Sequence, residues 1–172
     1  MERDAEGRLL VVADSSFLIN FLAVDRMDIL SRLPQFRFHV VNHVVAEIRY
    51  ESQRARLQAA TEDGGVHEIE ITDPAEILLY DEFRKFLGDG EAASLAVAVT
   101  RQWVIAADEK GRVRQLFSRL GEDHLLDTLG ALLTAIRADV ITVAHAEALR
   151  TQLQEHRVQM DPTPFEELLR EP

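Results

Sequence analysis

The run Leu9-Leu10-Val11-Val12-Ala13 constrains the fold more than any other stretch, because it is apolar at every position and stops on a carboxylate, Asp14. Its length is that of a strand. A strand with one wet face alternates apolar and polar residues, whereas a strand apolar throughout needs cover on both faces, as parallel strands between helical layers have. A second run, residues 103–107, has the same form and ends on Asp108. Two buried strands, each closed by an acid, anchor the reading of the segments around them.

Those segments alternate in type. Helical patterns cover 17 to about 23 and then 25–33, where Pro34 punctuates. Residues 36–41 read as a strand. Asn42 is placed as the N-cap of a helix that passes Val44, Val45 and Ile48 and continues through Arg56 and Leu57 to Ala60, with Gly64-Gly65 as its stop. Residues 66–71 alternate and form a short strand. Asp73-Pro74-Ala75-Glu76 then combines an N-cap, Pro at the first helical position and Glu at the third, opening a helix to about Phe86. Gly88-Asp89-Gly90 breaks the chain, and Glu91 opens an Ala-rich helix to about Arg101. Further helices are predicted from about 109 to 120, over 128–138 and over 143–154, with a brief strand near 124–126. Thr163, Pro164 and Glu166 carry a capping-box pattern for a last short helix. Strands alternating with helices predict an α/β fold with a mostly parallel sheet. No link resembles a domain linker. The expected division is a domain over 1–139 with a helical extension, 140–172, packed on it.

Composition narrows the chemistry. At 172 residues and 47% hydrophobic, the chain is long enough for one domain with its own core. Cysteine is absent, which excludes disulfide scaffolds, zinc–thiolate sites, iron–sulfur clusters and cysteine nucleophiles. Thirty acids against 19 basic residues give a formal charge of −11. That argues against holding nucleic acid by bulk positive charge. It does not argue against cutting nucleic acid at a metal, since such a site needs clustered carboxylates. No apolar run approaches the roughly 20 residues that span a bilayer. The charged start does not read as a signal peptide, so a cytoplasmic protein without a membrane contact is expected.

Four acids occupy special places. Asp14 and Asp108 follow buried strands, and in open α/β sheets sites gather beyond the carboxyl ends of strands. Glu47 lies on a helix with apolar neighbours, and Glu91 lies in the first turn of its helix. Convergent carboxylates repel unless cations or protons lie between them. Mg²⁺ or Mn²⁺ suits oxygen-only ligands, and such ions hold a phosphodiester and activate water. No phosphate loop, His-Glu-x-x-His or Gly-x-Ser-x-Gly competes in the sequence. Each acid also has a plainer reading. Asp108 can cap a helix, Glu91 can complement its helix dipole, Glu47 can face solvent, and Asp14 can be satisfied by Ser15 or Ser16.

The local contexts carry a resemblance. They are Val11-Val12-Ala13-Asp14-Ser15-Ser16-Phe17-Leu18-Ile19, Val40-Val41-Asn42-His43-Val44-Val45-Ala46-Glu47-Ile48, Leu87-Gly88-Asp89-Gly90-Glu91-Ala92-Ala93-Ser94-Leu95-Ala96, Val104-Ile105-Ala106-Ala107-Asp108 and Asp127-Thr128-Leu129-Gly130-Ala131-Leu132-Leu133. In order and spacing, from about Leu9 to Ala138, they resemble the PIN-domain family of metal-dependent ribonucleases, in its toxin-like, VapC-type branch. The resemblance implies a three-layer α/β/α sandwich around a parallel sheet, with the nuclease domain over 1–139. It implies Mg²⁺ or Mn²⁺ held by Asp14, Glu47, Glu91 and Asp108, with Ser16 supporting the shell, and RNA hydrolysis by metal-activated water. It implies a toxin of a type II toxin–antitoxin pair that forms a homodimer and is silenced by a small antitoxin protein.

The pattern departs from the family in places. A second acid and a nearby Arg usually follow the position of Asp108; here Glu109 follows, with Arg112 or Arg114 as the nearest cation. Asp127 stands where the branch usually has Gly, as an extra outer acid or an N-cap. Asp89 is likewise either a metal-shell acid or a cap.

The rest carries less. The six His residues show no metal-ligand spacing, and Trp103 reads as packing. Arg49, Arg54 and Arg56 fall on one predicted helix, exposed or touching RNA or an antitoxin. Phe165, Leu168 and Leu169 form an amphipathic patch that folds back or binds a partner. Two rival functions remain: a catalytically inactive PIN-fold module that binds nucleic acid or protein, and a phosphohydrolase using Asp14 as covalent nucleophile. The latter chemistry wants a second acid where this chain has Ser16.

Overall fold

The structure, a computed structural model, describes residues 1–108 and 124–170. The first half runs β1 (Leu9–Ala13), α1 (Ser15–Ala23), α2 (Met27–Ser31), β2 (Phe36–Val41), α3 (Asn42–Glu47), α4 (Glu51–Glu62) and β3 (Val66–Ile69). The second runs α5 (Pro74–Phe83), α6 (Asp89–Arg101), β4 (Val104–Ala106), β5 (Leu125–Leu126), α7 (Thr128–Arg137), α8 (Val143–Glu155) and α9 (Phe165–Leu168). The helix predicted over 109–120 lies outside the described residues.

The five strands pair in the order β3-β2-β1-β4-β5, every pair parallel. Residue alternation along β1 assigns its two faces. Val11 and Ala13 join a core with Phe17, Leu22, Leu30, Leu57, Leu132 and Leu149, from α1, α2, α4, α7 and α8. Leu10 and Val12 join a second core with Ala93, Leu95 and Val97 of α6, against which Tyr80 and Phe83 of α5 pack. The result is the expected three-layer α/β/α sandwich, and it explains why β1 is apolar at every position.

Strand order reverses between β1 and β4, the place where open α/β sheets form their crevice. The registers Ala13 with Ala106, and the Asp14 N–H donating to the Ala106 carbonyl at 2.8 Å, set the carboxyl ends of these two strands side by side.

Several local expectations are corrected. The single helix predicted from Asn42 to Ala60 is two. Asn42 is the first helical residue, Val41 is the N-cap, and the chain breaks between Glu47 and Glu51. Ile48 leaves α3 in an extended conformation and is buried in the core, so tertiary packing ends the helix where periodicity would continue it. Arg49 therefore sits in the break rather than beside Arg54 and Arg56, and Arg56 is tied to Asp25 at 2.9 Å and to the Leu22 carbonyl at 2.6 Å. The capping box at Thr163 does not form. Pro164 is the N-cap of α9, and Glu147 of α8 accepts the Phe165 N–H at 2.8 Å instead. Phe165 is fully buried under the Arg150 guanidinium, which lies 4.2 Å from its ring centroid. The C-terminal patch thus folds back on the core, a burial worth roughly 1.5–3 kcal/mol for a side chain of this size. The box at Asp73 forms as expected, Asp73 accepting from the Ala75 N–H at 2.7 Å.

Among the described residues no helix is long and apolar enough to cross a membrane.

Candidate active site

Asp14 caps α1, and its position at the end of β1 leaves it 2% exposed. One carboxylate oxygen, Oδ2, accepts from the Ser16 N–H at 3.3 Å and the Ser16 hydroxyl at 3.0 Å. The other, Oδ1, is buried with no hydrogen-bond partner. Burial pushes the Asp14 carboxyl above the usual carboxylate range. Hydrogen bonds from Ser15 and Ser16 pull it down, and the Glu47 charge adds to the rise.

Ser16 joins Asp14 to Asp108. Its hydroxyl donates to Asp14 and accepts from the Asp108 N–H at 3.2 Å. Asp108 in turn accepts from the Asn20 amide at 3.0 Å, from the Thr128 N–H at 2.9 Å and from the Thr128 hydroxyl. Burial raises the Asp108 carboxyl as well; the Thr128 and Asn20 bonds oppose that, and the Asp127 charge adds to it.

The two glutamates meet at another place, the start of α6. Glu47 ends α3 and accepts the Gly90 N–H at 2.8 Å. A carboxylate is disfavoured at the C-terminus of its own helix and favoured at the N-terminus of the next. Gly90 is what permits this contact, since a Cβ there would lie 2.7 Å from Glu47 Oε2. Glu91 reaches back to the Gly88 N–H at 3.3 Å, completing the first turn of the same helix.

The structure thus aligns the four predicted acids at the carboxyl edge of the sheet and couples them in pairs: Asp14 with Glu47 by charge, Asp14 with Asp108 through Ser16, Glu47 with Glu91 at one helix end. It does not close them on one point. Among the described residues, no three His, Asp or Glu side chains are grouped to hold a metal ion. Repelling carboxylates find other partners, here the backbone N–H groups of α6. The donor chemistry nevertheless fits a hard divalent cation: the four acids offer only oxygen, and Asp14 Oδ1 is buried without a donor.

The supporting residues divide. Asp127 is the N-cap of α7, accepting the Gly130 N–H at 2.7 Å. Asp89 does not cap; Gly88 holds that position, and Asp89 is the exposed acceptor of the Tyr80 hydroxyl at 2.6 Å. Glu109, Arg112 and Arg114 lie outside the described residues. The sequence reading missed Asn20 and Thr128, both buried, the Asn20 amide donating to the Thr128 hydroxyl at 3.1 Å. The one available signal was an amide inside the apolar stretch Phe17-Leu18-Ile19-Asn20-Phe21-Leu22. Trp103 packs as expected, against His39, with its indole N–H donating to Glu2 at 2.9 Å.

Asp108 and Asp127 line a pocket of about 820 Å³ together with Gln154 of α8 and residues 157–161 that follow it.

A family model described as a PIN domain matches residues 10–171. The chain belongs to the PIN-domain family. PIN domains are generally nucleases, and nucleic acid is their substrate. The match runs through α8 and α9, well past the five motifs, the last of which ends at Leu133. No curated protein and no solved structure matches the chain significantly.

Proposed function

We propose that this PIN domain is an endoribonuclease dependent on Mg²⁺ or Mn²⁺, with Asp14, Glu47, Glu91 and Asp108 as its metal ligands and Ser16 supporting them. The observation that carries the reading is Asp14: a buried carboxylate at the topological switch, one oxygen orphaned, linked through Ser16 to Asp108. When bound, the metal supplies the charge that holds the scissile phosphate and lowers the pKa of an attacking water. The chain's own part is placement. Ser16 fixes Asp14 Oδ2 and leaves Oδ1 for the cation. Asn20 and Thr128 keep Asp108 oriented and offset part of the rise that its burial imposes. Gly88 and Gly90 hold the two glutamates at the positive end of α6.

The finer role, the toxin of a type II toxin–antitoxin pair, acting in the cytoplasm as a homodimer and silenced by a small antitoxin, rests on the branch to which the five motifs are similar. A small reading frame beside the gene whose product binds this chain supports it. Purified protein is expected to cleave RNA with Mn²⁺, to stop with EDTA, and to lose about a hundredfold or more with Asp14→Asn. Full activity in that variant overturns the assignment.

The absence of any three-acid group among the described residues favours a second reading, a PIN fold that binds nucleic acid or protein without catalysis. It predicts RNA binding that is indifferent to Mn²⁺.

A further inference from the structure

The start of α6 is held from a third helix as well. Tyr80 of α5 donates its hydroxyl to the Asp89 carboxylate at 2.6 Å, and Asp89 is the first residue of α6. The same ring packs on His43 of α3, with centroids 4.9 Å apart and planes tilted by 55°. The Arg84 guanidinium lies 5.3 Å from its centroid. One side chain thus touches both helices that carry the glutamates. His43 stands one helical turn before Glu47, and Asp89 stands two residues before Glu91. Gly90, next to Asp89, is the residue whose N–H holds the Glu47 carboxylate at 2.8 Å. Tyr80 belongs to none of the five motifs. Packing alone asks for a ring here but not for a hydroxyl, and Phe83 packs on the same core without one. The hydroxyl adds a directed bond to an exposed acid, where water would serve both partners nearly as well. Such a bond contributes little to stability, yet it fixes geometry.

Resting on the reading of Glu47 and Glu91 as metal ligands, we infer that Tyr80 is a positioning residue of the metal site. Its hydroxyl fixes the first turn of α6 through Asp89, its ring fixes α3 through His43, and together they set how far apart the two glutamates stand. Metal affinity responds to contacts of this kind, because a ligand held loosely must be ordered when the ion arrives. Tyrosine suits the task, since only two torsions separate its hydroxyl from the backbone and the ring is stiff.

The test titrates the full chain, freed of metal, with MnCl₂ and follows free Mn²⁺ by electron paramagnetic resonance; thermal melts show that each variant is folded. Tyr80→Phe keeps the ring and loses the bond, and is expected to raise the Kd for Mn²⁺ about tenfold. Asp89→Ala breaks the same bond from its other end and is expected to match it, with the double variant no weaker than either single one. Tyr80→Leu also takes the ring from His43 and weakens Mn²⁺ further. RNA cleavage by Tyr80→Phe recovers when Mn²⁺ is raised about tenfold, with the KM for RNA unchanged, a recovery that a looser fold alone does not give. An unchanged Kd in Tyr80→Phe, beside a wild type that binds Mn²⁺, overturns the inference and leaves the nuclease reading standing. Losses that add in the double variant, or a much larger loss in Asp89→Ala, make Asp89 act on the metal by itself and overturn the tether. Tyr80→Leu no weaker than Tyr80→Phe removes the part given to the ring. A wild-type protein that binds no Mn²⁺ overturns the metal assignment on which both readings rest.

Discussion

At the scale of single residues, Asp14 serves two opposed ends. As the N-cap of α1 it stabilises the helix, and as a charge 2% exposed it destabilises the metal-free fold. Asn caps as well as Asp, so Asp14→Asn separates the two. Its folded carboxyl titrates above the unfolded value of 3.8, so the folded state holds that proton more tightly. The cost of ionisation therefore begins as pH rises through 3.8 and is complete above the folded value. In EDTA at pH 7, Asp14→Asn is expected to be more stable by about 1–3 kcal/mol, or roughly 2–4 °C in melting temperature per kcal/mol, with the gain shrinking toward pH 4. Thermal melts across that range check it; a variant less stable at pH 7 contradicts the burial argument. Asn20 and Thr128 show what a linear reading misses at this scale. Their bond to one another spans 108 positions, and nothing local to either predicts it.

At the scale of elements, the start of α6 is the most informative. Gly88 and Gly90 read in the sequence as a break, but Gly90 has a specific task, leaving room for the Glu47 carboxylate on a helix N–H. Gly90→Ala puts a Cβ where that carboxylate sits. The carboxylate is the far end of a flexible side chain, so it moves rather than the fold failing, while the helix gains about 0.5–1 kcal/mol from losing a glycine. Stability is thus expected to rise and Mn²⁺-dependent cleavage to fall at least tenfold, read by melting and by initial rates; retained cleavage would break the link between α6 and Glu47. Elements with local signals were legible. The run at β1, the Asp73 capping box and the stop at Gly64 all stand where residue chemistry puts them. The break between α3 and α4 was not, because Ile48 and Tyr50 suit a helix and only the burial of Ile48 explains the turn.

At the scale of the whole molecule, alternation of strand and helix was enough to predict a parallel sheet, and the switch between β1 and β4 places Asp14 beside Asp108. What alternation does not carry is how the C-terminal segment returns to wall the cleft, since that depends on the docking of Phe165 under Arg150. The sheet also sets an acid limit on the fold. His39 of β2 is buried against Trp103, with ring centroids 4.5 Å apart, and burial lowers it to about 4, with the charges of His67 and Arg37 adding to the fall. An unfolded His titrates near 6.5, so the unfolded chain binds the extra proton between those values. Stability from this group is full above about pH 6.5 and is lost as pH falls toward 4, by no more than roughly 3 kcal/mol. His39→Phe keeps the ring and removes the titration. Denaturation curves of the two proteins are expected to diverge as pH falls through that window; parallel curves would show that His39 is not the group.

The claim on which the rest depends is that Asp14 binds a divalent cation. Crystals soaked in Mn²⁺ and measured at the manganese absorption edge test it directly. The predicted result is an anomalous peak at Asp14 Oδ1 that disappears in Asp14→Asn; a saturating soak with no peak at Asp14 would contradict the account.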